Sequence, residues 1–124
     1  RSKVGVVGYC MGGALTLMLA CSRPDAVAAA APYYGVIGWP SVQPDWSAMT
    51  AKVVGEYAEE DDFASPDKVW GLEADLRALG KDVAMHVHPG THHAFFNDTR
   101  PDVYDAGASA TAFQRTLDLF AAQL

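Results

Sequence analysis

The sequence feature that most constrains the fold is an apolar run at residues 4–9, which leads through a cysteine directly into a second apolar segment. The run reads VGVVGY, and its shortness and valine content are typical of a strand buried on both faces of a sheet. The segment after Cys10 begins with Met11, Gly12 and Gly13 and continues with good helix formers, ALTLMLA. The sequence therefore predicts a strand, a sharp turn at Cys10 and a helix.

The turn at Cys10 has a small residue two positions away on each side, in the spacing Gly8-x-Cys10-x-Gly12. This spacing resembles a nucleophile elbow, in which glycines let the strand and helix crowd together while the middle side chain stands exposed above the sheet. Serine is usual at the middle position, whereas this chain has cysteine. The structural alternative is a tight turn whose small residue has no chemical role.

The size and charge of the chain limit what it can be. Its 124 residues, half of them hydrophobic, fit one domain with a modest core. Nine Lys and Arg against fifteen Asp and Glu give a formal net charge of -6, which argues against nucleic acid or an anionic membrane as a partner. No apolar stretch approaches the roughly 20 residues of a membrane span, and no segment resembles a signal peptide.

The two cysteines, Cys10 and Cys21, are predicted to be free thiols. If the residues between them form one helix, they lie about 16 Å apart at about 1.5 Å per residue, beyond the roughly 7 Å Cα separation that a disulfide allows. Free thiols are typical of a reducing compartment, so we expect a cytoplasmic protein. Cys21 is interpreted as a small buried hydrophobe.

The other hydrophobic patterns predict further strands at residues 26–35, 50–57 and 83–88, and helices at residues 66–79 and from about 104 to 124. Strands joined by helices or long crossovers form a parallel sheet with helices on its faces. The predicted fold class is therefore α/β, with about four mostly parallel strands and flanking helices.

A long loop is expected at residues 36–49, where Trp39 and Trp46 stand among glycines and prolines with no sustained period. Long loops with exposed aromatic residues often bind ligands or cover sites. The alternative is a loop held down by packed tryptophans, and both interpretations stay open.

Three of the predicted strands end in residues with reactive side chains: Cys10, Asp61 and Asp62, and His92 and His93. Parallel α/β sheets place their active sites beyond the carboxyl ends of the strands. The chain order is nucleophile, acid, base, which is the order in α/β hydrolases. In such a site a thiolate attacks, an imidazole carries the proton, and a carboxylate orients the imidazole.

The helix that begins at Met11 strengthens this hypothesis. The positive end of its dipole would lie beside Cys10 and stabilise a thiolate, and its first free amides could bind an oxyanion. The Met11 amide is the predicted first oxyanion donor.

A competing hypothesis is a metal site. His86 and His88 share one face of a predicted strand, and His92, His93 and Asp61 are the other possible ligands. No further ligand follows at a fixed spacing, so no metal is expected. His86 and His88 are interpreted instead as solvated strand residues.

Four segments carry a resemblance to a known family, namely GYCMGG at residues 8–13, YG at 34–35, EDDF at 60–63 and PGTHHAF at 89–95. Together they resemble the dienelactone hydrolase family, the carboxymethylenebutenolidases, and the match corresponds to the second half of a family member. The resemblance implies a Cys-His-Asp hydrolase of lactones or esters that uses no cofactor. Residues 1–124 are then the C-terminal half of an α/β-hydrolase domain.

The resemblance also selects among the candidate residues. The family acid is followed closely by an aromatic residue, which favours Asp61 over Asp62, and the family histidine is followed by a small residue and Phe, which favours His93 over His92. Cys10 is the implied nucleophile.

Substrate contacts are predicted at Tyr34, Phe95 and Arg100. Well-studied family members carry an arginine four residues after the catalytic histidine, where this chain has Asn97. Arg100, three residues further on, is the candidate substitute.

The first strand, at residues 4–8, is expected to be an exposed apolar edge, which is a template for strand pairing. We therefore expect a homo-oligomer that pairs through this edge. The alternative to an ester or lactone hydrolase is a truncated, self-associating α/β-hydrolase fragment without catalytic activity.

Overall fold

A computed structural model of the protein describes residues 3–124 as one sheet with helices on both faces. The elements follow in the order β1 (Val4–Tyr9), α1 (Met11–Ser22), β2 (Val27–Tyr33), β3 (Lys52–Glu60), α2 (Pro66–Ala78), β4 (Val83–His92) and α3 (Ala106–Gln123), with a 3-10 turn at Trp46–Ala48 before β3. The four strands are all parallel and lie in the order β1-β2-β3-β4. The predicted α/β class is confirmed. None of the helices in this part of the chain is long and apolar enough to cross a lipid bilayer.

Apolar side chains on the two faces of the sheet form two cores. Leu17 of α1 and Val69 of α2 pack on one face. Phe95 and Leu119, which belong to a turn and to α3, pack on the other. Because both faces are covered, the strands are apolar along most of their length, and the carboxyl ends of β1, β3 and β4 meet at one rim.

The predicted start and end of α2 are confirmed. Ser65 is the N-cap, with its hydroxyl accepting a 3.4 Å hydrogen bond from the backbone N–H of Lys68, and Pro66 is the first helical residue. Gly80 follows the helix with a φ of 77°, a left-handed conformation that glycine adopts without steric cost.

Several element boundaries differ from the prediction: β2 ends earlier, at Tyr33, and β3 ends later, at Glu60. Two further differences have a clear local cause. Residues 89–92 were expected to be a loop, but β4 continues to His92 because the long strand β3 offers Glu60 as a pairing partner. Helix α3 begins at Ala106 rather than near residue 104, because the Asp105 carboxylate accepts a 2.9 Å hydrogen bond from an amide of the first turn and caps the helix there.

Candidate active site

Cys10 lies at the sharp turn between β1 and α1, where its backbone has a φ of 59° and a ψ of -121°. A residue with a Cβ adopts this conformation only under strain, and here the turn leaves the thiol exposed. A Cβ on Gly8 would lie 2.0 Å from the carbonyl oxygen of Gly12, so only glycine fits at position 8. The turn thus has the geometry predicted for an elbow.

The second glycine that this turn requires is Gly35, not Gly12. A Cβ on Gly35 would lie 2.1 Å from the carbonyl oxygen of Cys10, whereas a Cβ on Gly12 would have no neighbour within 4 Å. Gly35 follows β2, far along the chain from the motif. Local spacing could not identify it, since the close approach exists only in the folded sheet.

The side chains of Cys10, His93 and Asp61 lie in one hydrogen-bonded line at the carboxyl ends of β1, β4 and β3. His93 Nδ1 lies 2.6 Å from Asp61 Oδ2, and His93 Nε2 lies 3.1 Å from Cys10 Sγ. With Asp61 ionised, the Nδ1–H donates to the carboxylate, which leaves Nε2 to accept the proton of the thiol. These three groups are therefore arranged as a nucleophile, a base and an orienting acid would be.

Backbone amides hold the Asp61 carboxylate in place. Asp61 is 4% exposed, and its Oδ1 accepts hydrogen bonds of 2.8 and 2.9 Å from two backbone N–H groups of the following turn. These bonds direct Oδ2 toward His93. Asp62 and His92, the alternatives that spacing left open, are both exposed.

The Met11 amide lies at the start of α1, immediately after the thiol. The backbone N–H groups of Gly13 and Ala14 donate to the carbonyl oxygen of Cys10 at 2.9 and 3.4 Å. Because the first N–H of a helix has no partner within it, the Met11 amide can donate to another acceptor at this end. The turn can therefore supply one donor to an oxyanion next to Cys10.

A cavity of about 450 Å³ opens beside the thiol. Of the three predicted substrate contacts, Tyr34 lines it, and neither Phe95 nor Arg100 does. Phe95 is 0% exposed in the core, and the next residue, Phe96, faces the cavity in its place. The guanidinium of Arg100 lies 3.4 Å from the carboxylate of exposed Asp102. The residues that line the cavity are Tyr9, Cys10, Tyr34, Ala94, Phe96, Asn97 and Asp98.

Backbone strain is concentrated at this cavity. Among residues 3–124, the non-glycine residues with positive φ are Cys10 at 59°, Tyr34 at 38° and Ala94 at 70°. Each such residue costs of order 1–3 kcal/mol, and such residues cluster at functional sites. All three line the cavity. The left-handed turn at Ala94, directly after His93, was not predicted from the sequence.

The Tyr34 ring forms a wall of the site beside the imidazole. Its centroid lies 5.0 Å from that of His93, with the two planes at 60°. Burial raises the pKa of Tyr34 to about 12, so its phenol stays neutral near pH 7. Tyr34 therefore restricts the position of the imidazole without adding a charge.

A buried charged cluster lies between the sheet and α3, close to the candidate site. Glu56 of β3 is 0% exposed, and its carboxylate accepts hydrogen bonds of 3.0 and 2.8 Å from Nε and Nη2 of Arg115. His88 Nε2 lies 2.8 Å from Oε1 of the same carboxylate. The prediction that His88 is solvated is wrong, because this partner holds it inside. The hydrogen bonds that Arg115 donates to Glu56 raise the pKa of Arg115, which remains charged.

Sequence reasoning did not find this cluster. A lone Glu56 within the apolar strand sequence VVGEYA was the one available signal, because a carboxylate is rarely buried without a partner. The partners come from two other elements, so no local spacing connects them.

The histidines considered as metal ligands do not converge on one point. His88 is hydrogen-bonded to Glu56, and His93 lies between Asp61 and Cys10. Within residues 3–124 no group of three or more His, Cys, Asp or Glu side chains is placed to hold a metal ion.

The two tryptophans of the long loop have different surroundings. Trp46 is half-buried and packs against the core. Trp39 is 42% exposed and lines a second cavity that also reaches Cys10. Trp46 therefore helps to hold the loop against the core, whereas a binding or covering role for Trp39 stays a prediction.

Comparison with known proteins supports a relationship over the whole chain. The model of the dienelactone hydrolase family matches residues 1–124. "Protein usf" of Aquifex pyrophilus is 34% identical over 118 residues, which are 95% of this chain and 50% of that protein. A protein of Aquifex aeolicus named "Putative carboxymethylenebutenolidase" is 31% identical over 118 residues, again 95% of this chain and 50% of that protein.

The fold agrees with these relatives. A crystal structure of a protein from Klebsiella pneumoniae, described as "Putative Dienelactone Hydrolase", superposes with a TM-score of 0.85 at 30% identity and covers 94% of this chain and 51% of that one. The chain spans about half the length of the curated relatives it matches. With a family model matching end to end and a shared fold, the chain belongs to the dienelactone hydrolase family.

Proposed function

We propose that this chain carries a Cys-His-Asp triad that cleaves ester or lactone bonds, with Cys10 as the nucleophile. The observation that supports the proposal most strongly is the line of contacts from Asp61 through His93 to Cys10, at 2.6 and 3.1 Å. Family membership supports hydrolase chemistry in general, and this geometry indicates which side chains would perform it.

In the proposed first half of the reaction, His93 Nε2 takes the thiol proton and the Cys10 sulfur attacks the carbonyl carbon of the ester. A C–S bond forms, and the carbonyl electron pair moves to the oxygen, where the Met11 N–H stabilises the charge. When the intermediate collapses, the C–O bond to the alcohol breaks and His93 gives its proton to the departing oxygen.

In the second half, water attacks the thioester and loses a proton to His93. The C–S bond then breaks, and the Cys10 sulfur leaves and regains the proton. Asp61 accepts the Nδ1–H bond throughout and stabilises the imidazolium. Every electron pair comes from the protein, the ester or water, so the proposal requires no cofactor. A reducing cytoplasm, which remains the predicted location, would keep the thiol available.

Trapping the acyl-enzyme tests this proposal directly. After incubation with p-nitrophenyl acetate and an acid quench, we expect mass spectrometry to find one acetyl group on the peptide that contains Cys10. Cys21 is the matched control, because burial raises its pKa to about 11 and keeps the thiol protonated. Cys21→Ala should acquire the same adduct, and Cys10→Ala should not. Acetylation of Cys21 alone would contradict the proposal. So would a Cys10→Ala protein that hydrolyses the ester as fast as the wild-type protein.

We also propose that the edge of β1 pairs with a second copy of the chain. Within residues 3–124, β1 is hydrogen-bonded to a neighbouring strand only on the β2 side. Val4 and Val7 of this strand are 50% and 40% exposed, and Leu15 and Leu117 on the flanking helices are exposed as well. An unpaired apolar edge favours association. This surface is also the observation that favours the alternative, a self-associating fragment without catalysis.

Light scattering after size exclusion tests the association. We expect the mass of a dimer for the wild-type protein and of a single chain for Val7→Lys, because a lysine on an edge strand opposes pairing. Val42→Lys is the control, since Val42 is exposed on the long loop and should not affect the mass. A wild-type mass of one chain at micromolar concentration would rule out this mode of pairing.

A further inference from the structure

Two separate cavities meet at Cys10. The first is the cavity of about 450 Å³ already described, and the second has a volume of about 180 Å³. The residues that line the smaller one are Cys10, Met11, Ala14, Val36, Gly38, Trp39 and Phe63. Because Cys10 belongs to both linings, a carbonyl carbon at its sulfur could direct one substituent into each cavity.

The two cavities differ in polarity. Apart from the thiol, the side chains of the smaller one are all apolar, with Trp39 and Phe63 as its largest members. The larger one combines aromatic rings with a polar rim at Asn97 and Asp98. This difference indicates a substrate with an apolar group on one side of the carbonyl and a more polar group on the other.

Charge limits the substrate further. Among residues 3–124, no lysine or arginine lines either cavity, and Asp98 places a carboxylate at the larger one. Arg100, the next cation along the chain, is engaged with Asp102. A substrate carboxylate in the larger cavity would therefore be repelled by the Asp98 carboxylate. No lysine or arginine among the lining residues would offset this repulsion, so the lining favours an uncharged substrate.

The position of His93 indicates which half of the ester enters each cavity. The departing alcohol takes its proton from His93 Nε2, so it must lie on the side nearer the imidazole. Tyr34 of the larger cavity lies 5.0 Å from that ring, whereas Phe63 of the smaller cavity lies 6.2 Å away. Ala94, adjacent to His93 in the chain, also lines the larger cavity. The alcohol therefore fits the larger cavity and the acyl group the smaller one.

We propose that the substrates are uncharged esters with a short apolar acyl chain, seated against Trp39 and Phe63. A cavity of about 180 Å³ has room for about four to six atoms of a chain, at the roughly 30 Å³ that a water molecule occupies in the liquid. This inference rests on the proposed Cys10 hydrolase and extends it to a class of substrate.

A series of p-nitrophenyl esters tests the acyl site. We expect kcat/KM of the protein to peak at the butyrate or hexanoate ester and to fall at least about tenfold at the decanoate ester, which overfills the cavity. Trp39→Ala should move the peak to longer chains, and so should Phe63→Ala, since both side chains are exposed and their removal leaves the core intact. Trp70→Ala removes an equally exposed tryptophan from α2 and should leave the profile unchanged.

A second comparison tests the charge preference. We expect 2-methoxyethyl butyrate to be hydrolysed at least about tenfold faster than O-butyrylglycolate, whose alcohol carries a carboxylate. Asp98→Asn should reduce this ratio several-fold, because it removes the like charge. Asp82→Asn removes the same charge just before β4, at the opposite end of that strand from the site, and should not change the ratio. Equal rates for the two esters in the wild-type protein would overturn the preference for uncharged substrates.

The outcomes separate this inference from the proposal on which it rests. If hydrolysis depends on Cys10 but neither Trp39→Ala nor Phe63→Ala changes the chain-length profile, the acyl site is wrong and the hydrolase stands. If no ester is hydrolysed faster than by Cys10→Ala, both are wrong.

Discussion

Replacing Cys10 by alanine is expected to lower kcat for p-nitrophenyl butyrate by at least about 10³-fold. In serine hydrolases the loss of the nucleophile or of the base alone removes about as much activity as the loss of the whole triad, roughly 10⁶-fold in kcat. The loss here should be of this kind, because in the proposed mechanism the Cys10 sulfur forms the bond to the acyl carbon. The measurement is steady-state release of p-nitrophenol at saturating ester.

The fold should survive this change, so the loss can be assigned to chemistry. Cys10 is exposed and its sulfur touches the imidazole rather than a core residue, so alanine removes no packing. Circular dichroism and the urea midpoint should match those of the wild-type protein. Cys21→Ala controls for thiol loss in general and should retain kcat. A Cys10→Ala protein that keeps a tenth of the wild-type activity would show that Cys10 is not the nucleophile.

Replacing Arg115 by methionine is expected to destabilise the protein by about 2–3 kcal/mol, somewhat less than the roughly 3–5 kcal/mol that removing one partner of a fully buried ion pair costs, because the Arg115 side chain is 32% exposed. The loss of stability comes from the Glu56 carboxylate, which stays buried without its cationic partner. Glu56 is fully buried, and without Arg115 its one remaining side-chain partner among the described residues 3–124 is His88. The free energy of unfolding from urea titration at neutral pH measures the effect.

A second variant distinguishes this mechanism from simple loss of packing. Adding Glu56→Gln to Arg115→Met removes the stranded charge, so the double variant should be more stable than Arg115→Met alone. Arg23→Met is the control, because the Arg23 pair with Asp25 is exposed and should contribute no measurable stability. If the double variant is less stable than Arg115→Met alone, the unpaired charge of Glu56 is not the reason why Arg115 stabilises the protein.

The cluster of Glu56, His88 and Arg115 includes residues of the two strands that lead to the candidate site. Glu56 lies on the strand that leads to Asp61, and His88 lies on the strand that leads to His93. Arg115 ties both to α3. The cluster therefore holds together the two strands whose ends position the acid and the base.

Local sequence patterns were sufficient to predict the helices and strands and the rim of the sheet at which the candidate residues lie. Helix α2 was predicted from three local signals: its hydrophobic period, the Ser65 cap and the stop at Gly80. These signals are readable in the sequence because capping and backbone conformation depend on neighbouring residues. The order of strands and crossovers then required a parallel sheet, whose carboxyl ends share one rim. That rule alone brought a cysteine, an acidic pair and a histidine pair to one place.

Which side chains face one another depends instead on how the sheet and helices pack. Ala94 adopts a left-handed turn that places Phe96, rather than the predicted Phe95, at the cavity. His88 was predicted to be solvated and is buried, because its partner Glu56 lies on a neighbouring strand. The elbow at Cys10 needs Gly35, which lies outside the Gly8-x-Cys10-x-Gly12 spacing. Side-chain direction after a turn, and contacts between elements distant in the chain, are set by how the sheet and helices pack, and for that reason no local pattern in the sequence encodes them.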